Sequence, residues 1–135
     1  MRKQITFAIS LFILTAGITS CQKDKETSTK KDVAGKWQVV KIETTVAGAP
    51  VVTYTGVAAD YFEFRNNEED EVVVNYNGSN YIGTYVVMDN KLINLSYNGK
   101  LRTAQITTIS ASQLEFTANV EGATVKTTEK FYFKR

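Results

Sequence analysis

From Val33 to Arg135 apolar and polar residues alternate with a period of two in short runs, and no stretch shows a convincing 3.6-residue period. Phe62 and Phe64 share one face against Tyr61, Glu63 and Arg65; Leu114, Phe116, Ala118 and Val120 share another; Phe131 and Phe133 oppose Lys130, Tyr132 and Lys134. Side chains of a strand point alternately to its two faces, so each apolar set is expected to face a common interior. Counting from turn to turn gives eight runs rich in Val, Ile, Thr, Tyr and Phe: 36–46, 61–66, 71–77, 81–88, 91–97, 101–109, 113–120 and 125–134.

The connections decide how the runs are joined. Asp89-Asn90, Asn98-Gly99 and Glu121-Gly122 suit tight turns, and Asn77 to Asn80 and Ser110 to Ser112 are only slightly longer. Almost every strand therefore folds back on its predecessor. An eight-stranded antiparallel meander of this kind removes its exposed edges by closing into an up-and-down barrel. The fold class expected is all-β. The one long connection, Ala47 to Asp60, holds the only proline, Pro50, and reads as a lid over one mouth with a short helical turn near Val57–Asp60.

Upstream of the strands the pattern changes. Residues 1–20 combine Arg2 and Lys3 with an apolar stretch from Ile5 to Ile18 that ends in small residues. The stretch is shorter than the roughly 20 residues a membrane-spanning helix needs, so it is read as an export signal. The sole cysteine follows as Ile18-Thr19-Ser20-Cys21, which resembles the lipobox of bacterial lipoproteins. That resemblance implies cleavage before Cys21 and lipidation of its thiol, which makes the membrane a partner through the anchor. Two or more acyl chains hold a protein stably where one holds only marginally.

Residues 22–32, QKDKETSTKKD, are polar throughout and are expected to form a flexible tether spanning on the order of 20 Å. The domain is then 33–135. The opening Cys21-Gln22-Lys23-Asp24-Lys25-Glu26 is similar to the signal that sends some Bacteroidota lipoproteins to the outer face of the outer membrane; a solvated linker on a periplasm-facing outer-membrane lipoprotein is an equal alternative.

Charge and composition exclude several functions. Without residues 1–20 the 16 Lys+Arg fall to 14, against 14 Asp+Glu, so the mature chain is close to neutral and offers no field to gather phosphates; nucleic acid is not an expected partner. There is no histidine, which excludes Ser-His-Asp and Cys-His catalysis and the usual zinc sites. Glu68-Glu69-Asp70-Glu71 lacks the spacing of a calcium loop and reads as a solvated hairpin tip. No cofactor, metal or catalytic residue is assigned, and the chain is not expected to be an enzyme.

Gly35-Lys36-Trp37 at the head of the first strand resembles the Gly-X-Trp signature of lipocalins and other calycins, and Phe131-Tyr132-Phe133-Lys134-Arg135 resembles their last strand. The ensemble is similar to the lipocalin-like domain of Bacteroidota lipoproteins: a lipobox, a polar tether, "GKW", "DYFEFRNN", "GTY", "KLINL", "ITTISASQLEF" and an aromatic end closing on arginine. The resemblance implies a barrel closed by Gly35, Trp37 and Arg135, with Arg135, or failing it Lys134, lying over Trp37. It also implies a small hydrophobic ligand in the barrel or its mouth. The strand tyrosines Tyr61, Tyr76, Tyr81, Tyr85 and Tyr97 could supply a polar handle for such a ligand, with Tyr61, Tyr81 and Tyr85 singled out as candidates; the alternative is that they are cross-strand packing pairs on the outer surface. The alternative is a filled barrel acting as a structural or interaction module. A continuous apolar cavity opening beneath residues 47–60 would support the binding module, and an interior packed solid by Phe62, Phe64, Phe116 and Phe131 would argue against it.

Overall fold

A computed structural model describes residues 28–135. The export signal, Cys21 and the first part of the tether lie outside the described residues. Residues 28–33 are helical and are followed by β1 (Gly35–Val46), β2 (Val52–Thr55), β3 (Tyr61–Phe64), β4 (Glu71–Tyr76), β5 (Ser79–Met88), β6 (Leu92–Tyr97), β7 (Lys100–Ile109), β8 (Gln113–Val120) and β9 (Thr127–Lys134). Every neighbouring pair is antiparallel from β3 to β9, and β9 pairs back with β1 along Gln38–Val46, so the sheet closes.

Nine strand segments make eight staves. Gln38 has Tyr61 on one side and Lys134 on the other, and Ile42 has Tyr54 and Phe131. β2 and β3 therefore occupy the same edge of β1, end to end, as one stave interrupted at residues 56–60. This corrects the expected lid: of the segment 47–60, residues 52–56 are barrel wall, 47–51 are the β1–β2 turn, and 57–60 is a single turn closed by Asp60 N–H donating to the Val57 carbonyl at 2.9 Å. The ladder persists through the interruption, since Gly56 N–H donates to Val40 O at 2.9 Å and Val39 N–H to Asp60 O at 3.0 Å. Only glycine fits at position 56, where a Cβ would lie 2.0 Å from the Val39 carbonyl oxygen.

Asp60 locks the interruption in place. It is 3% exposed, and its carboxylate accepts hydrogen bonds from the Tyr54 hydroxyl at 2.7 Å, Val57 N–H at 2.9 Å and Asn77 N–H at 3.3 Å. The bond to Asp60 raises the Tyr54 hydroxyl above its ordinary pKa, because ionising it would place two negative charges together. Asn75 Nδ2 donates to Ala59 O at 3.0 Å, tying the same turn to β4.

The last part of the expected tether is also ordered. Residues 28–32 belong to the N-terminal helical turn, Lys30 pairs with Asp70, and Trp37 Nε1 donates to the Val33 carbonyl at 2.8 Å. Val33 and Trp37 are fully buried and plug this end of the barrel. The Arg135 guanidinium lies 3.9 Å from the Trp37 ring and donates to Ala34 O at 2.9 Å and Ala111 O at 3.0 Å. Gly35 takes φ +114, and a Cβ there would stand 3.1 Å from Arg135 Nη1. One arginine thus joins the residues just before β1, the β7–β8 turn and the end of β9. Exposed cation–π contacts contribute roughly 0.5–1 kcal/mol, so the closure depends on burial of Trp37 and on these hydrogen bonds as much as on the stacking.

The interior between the two ends is aromatic. Phe62 lies within 5.0–6.4 Å, centroid to centroid, of Phe64, Tyr76, Tyr97, Phe131 and Phe133, and Phe116 stacks 4.8 Å from Phe131. Phe62, Phe64, Phe116 and Phe131 are all at most 1% exposed. The middle of the barrel is filled by side chains.

Candidate functional site

The end opposite Trp37 is open. It is edged by the β1–β2, β4–β5, β6–β7 and β8–β9 connections, of which Asn77-Gly78 and Asn98-Gly99 are two-residue turns with both φ values positive. Between the end of β1 and the longer β8–β9 connection lies a cleft of about 840 Å³, lined among others by Thr44, Tyr76, Lys100, Arg102, Glu121, Thr124, Thr127 and Glu129.

Two of these residues face inward because of strand alternation. Arg102 precedes Ala104 and Ile106 on the inner face of β7, and Glu129 precedes Phe131 and Phe133 on the inner face of β9. Arg102 is 4% and Glu129 7% exposed, and Arg102 Nε donates to Glu129 Oε1 at 2.8 Å. Ala118 stands opposite both Ala104 and Glu129, and two methyl side chains leave the volume the ion pair needs. Arg102 Nη1 donates to the Tyr97 carbonyl at 3.3 Å, and its guanidinium lies 3.9 Å above the Tyr97 ring. A largely desolvated ion pair roughly offsets its own desolvation at best, so this pair gives the fold little net stability.

Tyr97 marks the boundary between mouth and core. Its ring packs edge-on to Phe62 at 5.7 Å and lies 6.2 Å from Tyr81. It is 3% exposed, and its hydroxyl has no hydrogen-bond partner. Burial drives this hydroxyl far above the ordinary tyrosine pKa, and burial also raises Tyr76. Both remain neutral donors and acceptors at any physiological pH.

The three tyrosines singled out in the sequence separate. Tyr81 is on the inner face beside Tyr97, next to the mouth. Tyr85 is fully buried near the closed end, edge-on to Phe64 at 5.2 Å, with its hydroxyl donating to Arg65 O at 2.9 Å and its pKa pushed up to about 12 by burial. Tyr61 faces outward under the Lys36 ammonium, 4.0 Å from the ring centroid. Neither Tyr61 nor Tyr85 can serve the mouth; a strand position two or four residues along shares a face but not a depth. The Glu68–Glu71 tip is held by cations of the chain itself: Lys30 takes Asp70, and Arg65 takes Glu71 at 3.0 Å. No group of three or more metal-ligating side chains occurs among the described residues.

Arg102 and Glu129 were not among the sequence candidates. The signal for them is a charge on an inward position at the same end of two apolar runs, one basic and one acidic.

A closed antiparallel meander with one end sealed by a Trp–Arg contact and the other end open defines the calycin class of small β-barrels. The chain belongs to the family of the lipocalin-like domain, whose family model matches residues 33–116. The match ends inside β8, and the rest of β8 with β9 completes the barrel. No curated protein and no solved structure gives a significant match.

Proposed function

We propose that this protein is a small-ligand binding module, presented from the bacterial outer membrane by lipid on Cys21, with its site at the open mouth of the barrel. The lipocalin-like fold commonly binds small hydrophobic ligands. In this chain the central aromatic packing leaves the mouth as the place for one. The observation that carries the reading is the Arg102–Glu129 pair, buried in a cleft of about 840 Å³ at the end of an otherwise apolar interior. Such a pair contributes little to stability, and its retention there is consistent with recognition. The family's general character supports a non-enzymatic role.

The chain enters the barrel at the closed end, where residues 28–33 pack beside Trp37. An anchor at Cys21 places that end toward the membrane and the mouth away from it. Replacing Cys21 by Ala is expected to move the protein from the membrane to the soluble fraction; continued membrane retention would defeat the anchor.

Native mass spectrometry of protein purified from its own cell envelope tests the binding role. A retained small-molecule adduct is expected, and Ala123→Trp, which places an indole in the cleft, is expected to abolish it. An adduct kept by the blocked variant rules out the mouth. No adduct on either protein favours the second reading, a filled accessory barrel, for which the packing of Phe62, Phe116 and Phe131 is the supporting observation.

A further inference from the structure

The mouth is polar and electrically balanced. Its charged lining residues are Lys100 and Arg102 against Glu121 and Glu129. An anion brought to Arg102 meets Glu129 beside it, and a cation brought to Glu129 meets Arg102; a neutral ligand meets neither repulsion.

Hydrogen-bonding capacity points the same way. Arg102 spends Nε on Glu129 and Nη1 on the Tyr97 carbonyl, which leaves the Nη2 donors; Glu129 spends Oε1 on Arg102, which leaves the Oε2 acceptor. A donor and an acceptor thus sit side by side on two residues that line the cleft. A hydroxyl group donates and accepts at once and can satisfy both. Tyr76 supplies an aromatic surface on the same cleft. A purely hydrocarbon ligand would cover these groups without bonding to them, which opposes binding.

On the reading of the mouth as the binding site, we infer that its ligand is a neutral, hydroxyl-rich small molecule of the saccharide class, whose hydroxyls bridge Arg102 and Glu129. The ring face of the sugar rests on Tyr76. This departs from the apolar ligand that the family resemblance implies.

The test is an amide chemical-shift titration of the mature protein in phosphatidylcholine nanodiscs with glucose, galactose, N-acetylglucosamine and maltose, beside glucuronate, glucosamine and the apolar probe indole. At least one neutral sugar is expected to shift the amides of Asn98, Lys100, Arg102 and Thr127 saturably. Its affinity is expected to be at least tenfold above those of the charged and apolar probes. Tyr76→Leu removes the aromatic surface that lines the cleft. It is expected to weaken neutral-sugar binding three- to tenfold, and undiminished sugar binding by this variant would overturn the placement of the sugar on Tyr76. Indole shifting these amides when no neutral sugar does overturns the saccharide class and leaves the mouth as the binding site. Absence of a saturable neutral-sugar shift at the mouth overturns this inference whatever else binds, and the adduct measurement above judges the mouth independently.

Discussion

Phe62→Ala is expected to lower the free energy of unfolding by about 3–5 kcal/mol, the range for truncating a fully buried phenylalanine. Phe62 is 0% exposed and touches five other aromatic rings, from Phe64 near the sealed end to Tyr76 and Tyr97 near the mouth. Paired with Trp37 on one side and Val74 on the other, it cannot be replaced by a neighbour sliding along the sheet, because both flanking strands are held in register. The lost transfer energy and the cavity left behind therefore add. Urea unfolding should show a lower midpoint at an unchanged slope. Phe62→Leu, which keeps most of the volume, should cost markedly less. A loss below about 1 kcal/mol for the alanine variant would contradict a solidly packed interior.

The second large effect is electrostatic. Arg102→Ala is expected to cost about 3–5 kcal/mol at neutral pH, because Glu129 is left as a buried charge without its partner. The unpaired carboxyl should then bind a proton more tightly in the folded than in the unfolded protein. A group with a raised folded pKa destabilises above its unfolded value, about 4.3 for glutamate, and ceases to do so below it. The penalty in Arg102→Ala should accordingly shrink as the pH falls from 7 toward 4. The double variant Arg102→Met with Glu129→Leu should be close to the parent in stability, since apolar residues of similar volume commonly replace a buried pair at no cost. A double variant as unstable as Arg102→Ala alone would assign the pair to the fold rather than to recognition.

Most of the wall was legible in the chain because local chemistry agrees with the tertiary answer. Asn98-Gly99 takes positive φ at both residues, and the alternations through Phe62–Phe64, Leu114–Val120 and Phe131–Phe133 all point inward as read. Trp37 and Arg135 meet at the closed end although 98 positions separate them in sequence, which only the family resemblance could anticipate.

The parts that were not legible depend on distant partners. Val52–Thr55 is four residues long and sits between Pro50 and Gly56, so its own composition reads as loop. It becomes strand because β1 offers a free edge at Lys41–Thr44 and because Asp60, six residues from Tyr54, collects donors from β2 and from the β4–β5 turn. Residues 28–32 are wholly polar, and their order comes from Lys30 on Asp70 and from Arg135 Nη2 donating to the Asp32 carbonyl at 3.3 Å. The mouth was hidden for a related reason. Alternation places Arg102 and Glu129 on the inner face, but that they meet at 2.8 Å requires the β7–β8–β9 register and the small Ala104 and Ala118 between them.

The most direct measurement of the central proposal is the crystal structure of the protein isolated from its own envelope and never exposed to denaturant. Electron density for a bound small molecule between β1 and the β8–β9 connection, within hydrogen-bond distance of Arg102 and Glu129, is the expected result. A molecule threaded among Phe62, Phe116 and Phe131 in a widened barrel would contradict it. So would a mouth holding only water in protein whose mass spectrum still shows an adduct.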